Sequence, residues 1–181
     1  MTYRFENLDQ VTRDFMFEEF RRDIELGTQY ISPRIKSGFA GRYLNLLGHV
    51  ITEGRNEDDF ASDIRRCGYL KEMEPRKTKT GITMAKVPEK AAETLAHSEF
   101  NRYYMRGLCR RALEENLELV IYRAKEVSRP SDISKHIIGR HVRPDVLLEI
   151  LRDFESAEEH FSNAIEINIG GPNSGLSVCI Q

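Results

Sequence analysis

The first helical segment constrains this chain most, because its apolar residues occupy two nearly opposite sides. At ~100° per residue, Leu8, Val11 and Phe15 share one side, while Phe17, Phe20 and Ile24 share the other. A helix of this kind must be covered twice, either inside its own domain or by a second chain. The pattern predicts a start near Leu8, with Asn7 as cap and Gln10 three residues on, and a stop at Gly27. The side bearing Phe17, Phe20 and Ile24 is the candidate protein interface.

Two more helices follow. Ser32-Pro33 reads as a cap and first helical position, leading a segment whose Ile35, Phe39, Tyr43, Leu46, Leu47 and Val50 form one face up to Gly54. Asn56 caps a shorter helix over 57–66 that buries Phe60 and Ile64. The stretch 74–88, EPRKTKTGITMAKVP, then changes character: it is a basic loop or extended hairpin between a helical half, 1–73, and an α+β half, 89–181. Beyond it, a helical stretch starts at Pro88, and Ser98 reads as the cap of a fresh helix. A β-branched run over 117–124 reads as a strand, and another helix follows Pro144. Ile165, Ile167 and Ile169, then Leu176, Val178 and Ile180, alternate with polar residues on either side of GGPNSG, a hairpin signature. The chain is therefore expected to be α+β. Its N-terminal half is helical, and a small antiparallel or mixed sheet of about three strands packs on helices, most simply as one domain.

Composition narrows the function classes. A hydrophobic fraction of 40% in 181 residues supports a core, and the formal net charge of -2 argues against the pervasive positive field of a general nucleic-acid binder. Cys67, Cys109 and Cys179 lack CxxC spacing and suit a reducing compartment. No basic start precedes an apolar run, and no stretch reaches the ~20 apolar residues of a membrane span. The expectation is a cytoplasmic protein with no membrane partner.

The densest block of chemistry is Phe100–Leu113. Arg102, Arg106 and Arg110 recur every four residues and so form one ridge, which with Arg76, Lys77, Lys79 and Lys86 is the candidate surface for nucleic acid or another anion. The alternative is a ridge paired with acids of a neighbouring helix. Arg111 points into the apolar arc and calls for snorkelling at the helix end or a buried carboxylate partner. The five histidines show no HExxH or Cys/His spacing, so no metal set and no cofactor are expected. Cys109 lies mid-helix, and GGPNSG lacks the lysine and following helix of a phosphate loop. Tyr122, Arg123, His136 and His141, near one strand end, are the remaining candidates for an enzyme site assembled from loops.

The blocks EFNRYYMRGLCRRAL, VIYRAKEVSRP and GGPNSGLSV, in this order, make the half from Pro88 onward resemble a group of small uncharacterised proteins of bacteria and bacteriophages. The resemblance implies a prokaryotic or phage setting, such as a virion head or its assembly apparatus, and carries no site residue. Three readings follow. The first is a non-enzymatic assembly or interaction protein, a bacteriophage virion component that forms homo- or hetero-oligomers with partner chains. The second is a module binding nucleic acid or an anionic partner, such as a phage anti-defence protein. The third is an enzyme with an unrecognised site.

Overall fold

Asp9, not Asn7, starts the first helix. In the computed structural model, which describes residues 2–79, 81–128, 130, 132–153 and 174–181, Asp9 is extended and its carboxylate accepts the Thr12 amide at 2.9 Å, opening α1 (Gln10–Leu26). Gly27 ends it in the left-handed conformation, as predicted. Asn7 is used over a longer range: its Oδ1 accepts the Ile180 amide at 2.8 Å, and its own amide donates to the Tyr104 hydroxyl at 3.3 Å.

Ser32-Pro33 does not start a helix. The Lys36 amide donates to the Tyr69 carbonyl and the Lys71 amide to the Arg34 carbonyl, both at 2.9 Å, forming a short antiparallel bridge between Ile35 and Leu70. α2 (Ala40–Thr52) therefore begins later, behind Phe39. α3 (Glu57–Arg66) matches its prediction: Asn56 caps it in a reciprocal box with Asp59. The basic stretch is an antiparallel hairpin of β1 (Met73–Thr78) and β2 (Gly81–Lys86).

α4 (Ala91–Glu115) runs unbroken through Ser98 for 25 residues, roughly 37 Å at helical rise. It is the axis of the fold. Phe100, Tyr104, Leu108 and Ala112 are buried on one side, and Arg102 and Arg106 are buried on the other. α1, α3 and α6 (Pro144–Arg152) surround it together with β5 (Leu176–Ile180). At Gly107 the α1 backbone comes so near that an added Cβ would lie 2.7 Å from Met16 Cγ and 3.0 Å from the Thr12 carbonyl oxygen.

The sheet has the order β4 (His141–Val142), β3 (Leu119–Arg123), β5, all antiparallel, with Ile121 opposite Val178 and Leu119 between Val142 and Ile180. α5 (Asp132–Ile137) precedes β4. Asn101 of α4 ties β5 down by donating to the Leu176 carbonyl at 3.0 Å and accepting from Ser177 Oγ at 2.7 Å. The expected strand around Ile165–Ile169 lies outside the described residues. The chain is thus α+β, with a helical N-terminal half and a small antiparallel sheet packed on helices. Among the described residues no helix is long and apolar enough to cross a membrane.

Candidate functional site

Arg102 and Arg106 of the arginine ridge are internal, which corrects their assignment to a surface. Arg106 is fully buried and donates to Glu19 Oε2 from Nε (3.0 Å) and Nη2 (2.8 Å). It also forks onto Asp23, with Nη1 2.6 Å from Oδ2 and Nη2 2.8 Å from Oδ1. Arg102, also buried, pairs with Glu99 at 3.0 Å. Arg110 is about one-third exposed and reaches Glu18 and Glu19 of α1 at 3.3 and 3.2 Å. The physical reason is the central position of α4. A charge inside the domain must be paired, and Glu19 and Asp23, four apart on α1, supply the carboxylates. Arg152 of α6 adds a further donor to Glu19, Nε to Oε2 at 2.9 Å. Burial alone would raise the Glu19 carboxyl, but Arg152 and Arg106 outweigh it and hold it at about 2. Glu99 goes the other way, raised by burial that Arg102 and Arg106 offset only in part. Arg111 meets Asp9 at 2.8 Å and Glu115 at 3.1 Å, and both carboxylates are exposed, so its partners are not the buried carboxylate expected for it.

The proposed interface on α1 is also partly internal. Phe20 is buried, edge-on to Tyr103 (5.7 Å between centroids) and under Gly48, where an added Cβ would sit 3.1 Å from its ring. Phe17 stacks on Phe20 and packs against the core. Ile24 remains exposed, beside a shallow groove that Leu44 also lines. α1 instead buries a single stripe that includes Thr12, Met16, Glu19, Phe20 and Asp23, packed against α2 and α4, while Val11 and Ile24 from the two predicted apolar sides stay exposed.

The hairpin cations are placed differently. Residues directly opposed across an antiparallel pair share a face. Met73 with Lys86, Pro75 with Met84 and Lys77 with Ile82 accordingly make one face, and Glu74 with Ala85 and Arg76 with Thr83 make the other. Glu74 and Ala85 are half-buried, and Arg34 grips the Glu74 carboxylate with both Nε (2.6 Å) and Nη2 (3.1 Å), holding that face inward. The opposite face looks outward and carries exposed apolar side chains beside Lys77 and Lys86: Ile82 is 79% exposed, Met84 57% and Met73 44%. Arg76, Lys77, Lys79 and Lys86 are all exposed, and none forms an ion pair with a described residue. An open cleft of about 490 Å³ lies at the hairpin's foot, between Leu70, Met73, Val87 and Pro88.

Tyr122, Arg123, His136 and His141 each hydrogen-bond to groups outside this set. Tyr122 donates to the Arg4 carbonyl, Arg123 to Ser134 Oγ and the Ser174 carbonyl, and His136 and His141 face the Asp132 carbonyl and Glu118 respectively.

A second polar centre has no sequence signature, because its members are dispersed. His97 of α4 is buried, with Nε2 2.8 Å from Asp58 Oδ1 and Nδ1 2.6 Å from Lys125 Nζ. Asp58 Oδ2 accepts from Thr2 Oγ1 at 2.6 Å, and the buried Glu57 accepts the Tyr3 amide at 2.8 Å. Burial lowers the basicity of both His97 and Lys125, and burial raises the Glu57 carboxyl. Donor atoms of Glu57, Asp58 and His97 lie within 4.8 Å of one another, close enough to share one cation. The hydrogen bonds oppose that use. The Lys125 amine donates to Nδ1, which puts the ring proton on Nε2, facing Asp58, where a metal would need the lone pair.

No protein-family model, curated protein or solved structure matches the chain.

Proposed function

We propose that this is a non-enzymatic interaction protein, the first class expected from the sequence, and that the β1–β2 hairpin is its docking arm for an acidic protein partner. The observation that carries this is the outward set of apolar side chains Met73, Pro75, Ile82 and Met84, placed among cations that form no ion pair with a described residue. Four cations (Arg76, Lys77, Lys79 and Lys86) stand against one acid, Glu74, over 73–86, and Arg34 already holds that acid. A phosphate backbone would satisfy the lysines but leave Ile82 and Met84 in water. An acidic protein surface with an apolar centre satisfies both. The free edges of a two-stranded ribbon also offer backbone pairing to an extended segment. A phage particle or its assembly apparatus, implied by the resemblance of the C-terminal half, is a setting in which such an arm would work.

The test is size-exclusion chromatography with light scattering and a 260/280 nm ratio at low salt, then photo-crosslinking from position 82. A protein crosslinked from Ile82, released by salt and lost in Ile82→Ser/Met84→Ser and in Lys77→Glu/Lys86→Glu, supports the reading. Nuclease-sensitive binding moves the arm to the nucleic-acid class. Binding that ignores both double variants overturns it.

A further inference from the structure

Three groups form a chain just beyond the end of the central strand β3: Asp58 to His97 at 2.8 Å, and His97 to the Lys125 amine at 2.6 Å. Each supplies what a nucleophilic site needs. The amine is within hydrogen-bond reach of a base, and the base is oriented by a third group on its far nitrogen. The supports are rigid. Thr2 holds the other Asp58 oxygen, and α4 carries His97 in its buried stretch. The Lys125 amide donates to the Gly175 carbonyl at 3.0 Å. Gly175 has a φ of +62°, and a Cβ there would come within 2.3 Å of the Lys125 carbonyl oxygen, so the backbone beneath the lysine closes only around glycine.

We propose that Lys125 is a nucleophilic amine that forms an imine with small neutral aldehydes, with His97 as its proton acceptor and Asp58 holding His97. The lone pair of the neutral amine forms the C–N bond as the carbonyl π bond opens. His97 Nδ1 takes one proton from nitrogen and passes it to the oxygen, giving the carbinolamine. A second proton follows the same route, the C–O bond breaks, and water leaves as C=N forms. No oxidant or reductant enters. Asp58 stabilises the imidazolium formed at each transfer. The half-buried position that lowers the basicity of Lys125 keeps more of it neutral, against the pull of Asp58, Glu57 and Glu93 toward the ammonium and with that of Lys90 away from it. Those three carboxylates select the substrate: an anionic oxo acid is repelled where an uncharged aldehyde is not. The Tyr3 ring, its centroid 5.4 Å from Nζ, walls one side.

The experiment is reductive trapping with acetaldehyde and cyanoborohydride on the full chain at neutral pH, with each lysine quantified by peptide mapping. Lys125 is expected to label about tenfold faster than the exposed Lys77 and Lys79, a modest share of what a positioned base can supply. In His97→Gln its rate should fall to theirs, while theirs stay unchanged. Pyruvate should label Lys125 more slowly than acetaldehyde does. Wild-type labelling of Lys125 no faster than Lys77 overturns the proposal, whether or not the variant folds, and equal rates with pyruvate overturn the choice of a neutral substrate.

Discussion

Arg106 and Asp23 meet fork to fork in the interior, Nη1 to Oδ2 at 2.6 Å and Nη2 to Oδ1 at 2.8 Å, and so tie α4 to α1. Tyr103 adds a hydroxyl donor to the same Asp23 oxygen at 2.9 Å. Arg106→Met should cost about 3–5 kcal/mol in urea unfolding, because it leaves Asp23 and Glu19 buried without the cation they share. Changing Asp23 and Glu19 to Leu together with Arg106→Met should recover much of that loss. A loss under ~1 kcal/mol in Arg106→Met would show that the cluster is not a stability determinant.

Glu19 predicts the acid limb of the stability curve. Its carboxyl is held at about 2 in the fold against an ordinary value of 4.5, so the unfolded chain binds the proton more readily. The stabilisation is fully present above pH 4.5 and is lost as pH falls toward 2. Urea midpoints should therefore drop steeply through that window, and Glu19→Gln should flatten the drop. Glu99, raised by burial, contributes with the opposite sign, so the slope isolated by Glu19→Gln is the informative quantity.

Gly107 marks the closest approach of α1 and α4. Gly107→Ala puts a methyl group 2.7 Å from Met16 Cγ and 3.0 Å from two backbone atoms of α1, Met16 N and Thr12 O, so the helices must part. About 1–3 kcal/mol of destabilisation is expected in denaturant unfolding. Gly41, inside α2 with nothing within 4 Å of its Cβ position, is the control. There alanine should stabilise by about 0.5–1 kcal/mol.

What the sequence conveyed follows from the range over which each residue acts. Asn56 and Gly27 work on backbone groups within a few residues, so cap and stop were legible. The alternation of Leu176 and Val178 likewise announced β5. Ser32-Pro33 failed because the amides and carbonyls after it are claimed by residues 69–71, a pairing that no local pattern announces. The spacing of Arg102, Arg106 and Arg110 showed a shared face, but not whether water or carboxylates lie opposite it. Asp23, 83 residues away in sequence from Arg106, decides that. His97 sits in no motif spacing for the same reason, since Asp58 and Lys125 stand 39 and 28 residues away.

The hairpin should be the least protected of the described strands. A two-stranded ribbon gains little stability alone, and β1 and β2 pair only with each other. Their tie to the body is the Arg34–Glu74 pair on one face and, at the foot, the Lys71 amide bonded to the Arg34 carbonyl. Amides of β1–β2 should exchange with solvent far sooner than those of α4, and Glu74→Gln should speed them further without touching α4. Ile82→Ser and Met84→Ser should leave the unfolding free energy within about 0.5 kcal/mol, because neither side chain is buried. That neutrality separates docking from folding. A residue retained for a partner costs the isolated chain nothing when removed, whereas a loss above ~1 kcal/mol would mean that Ile82 packs on its own chain and is not free to meet another.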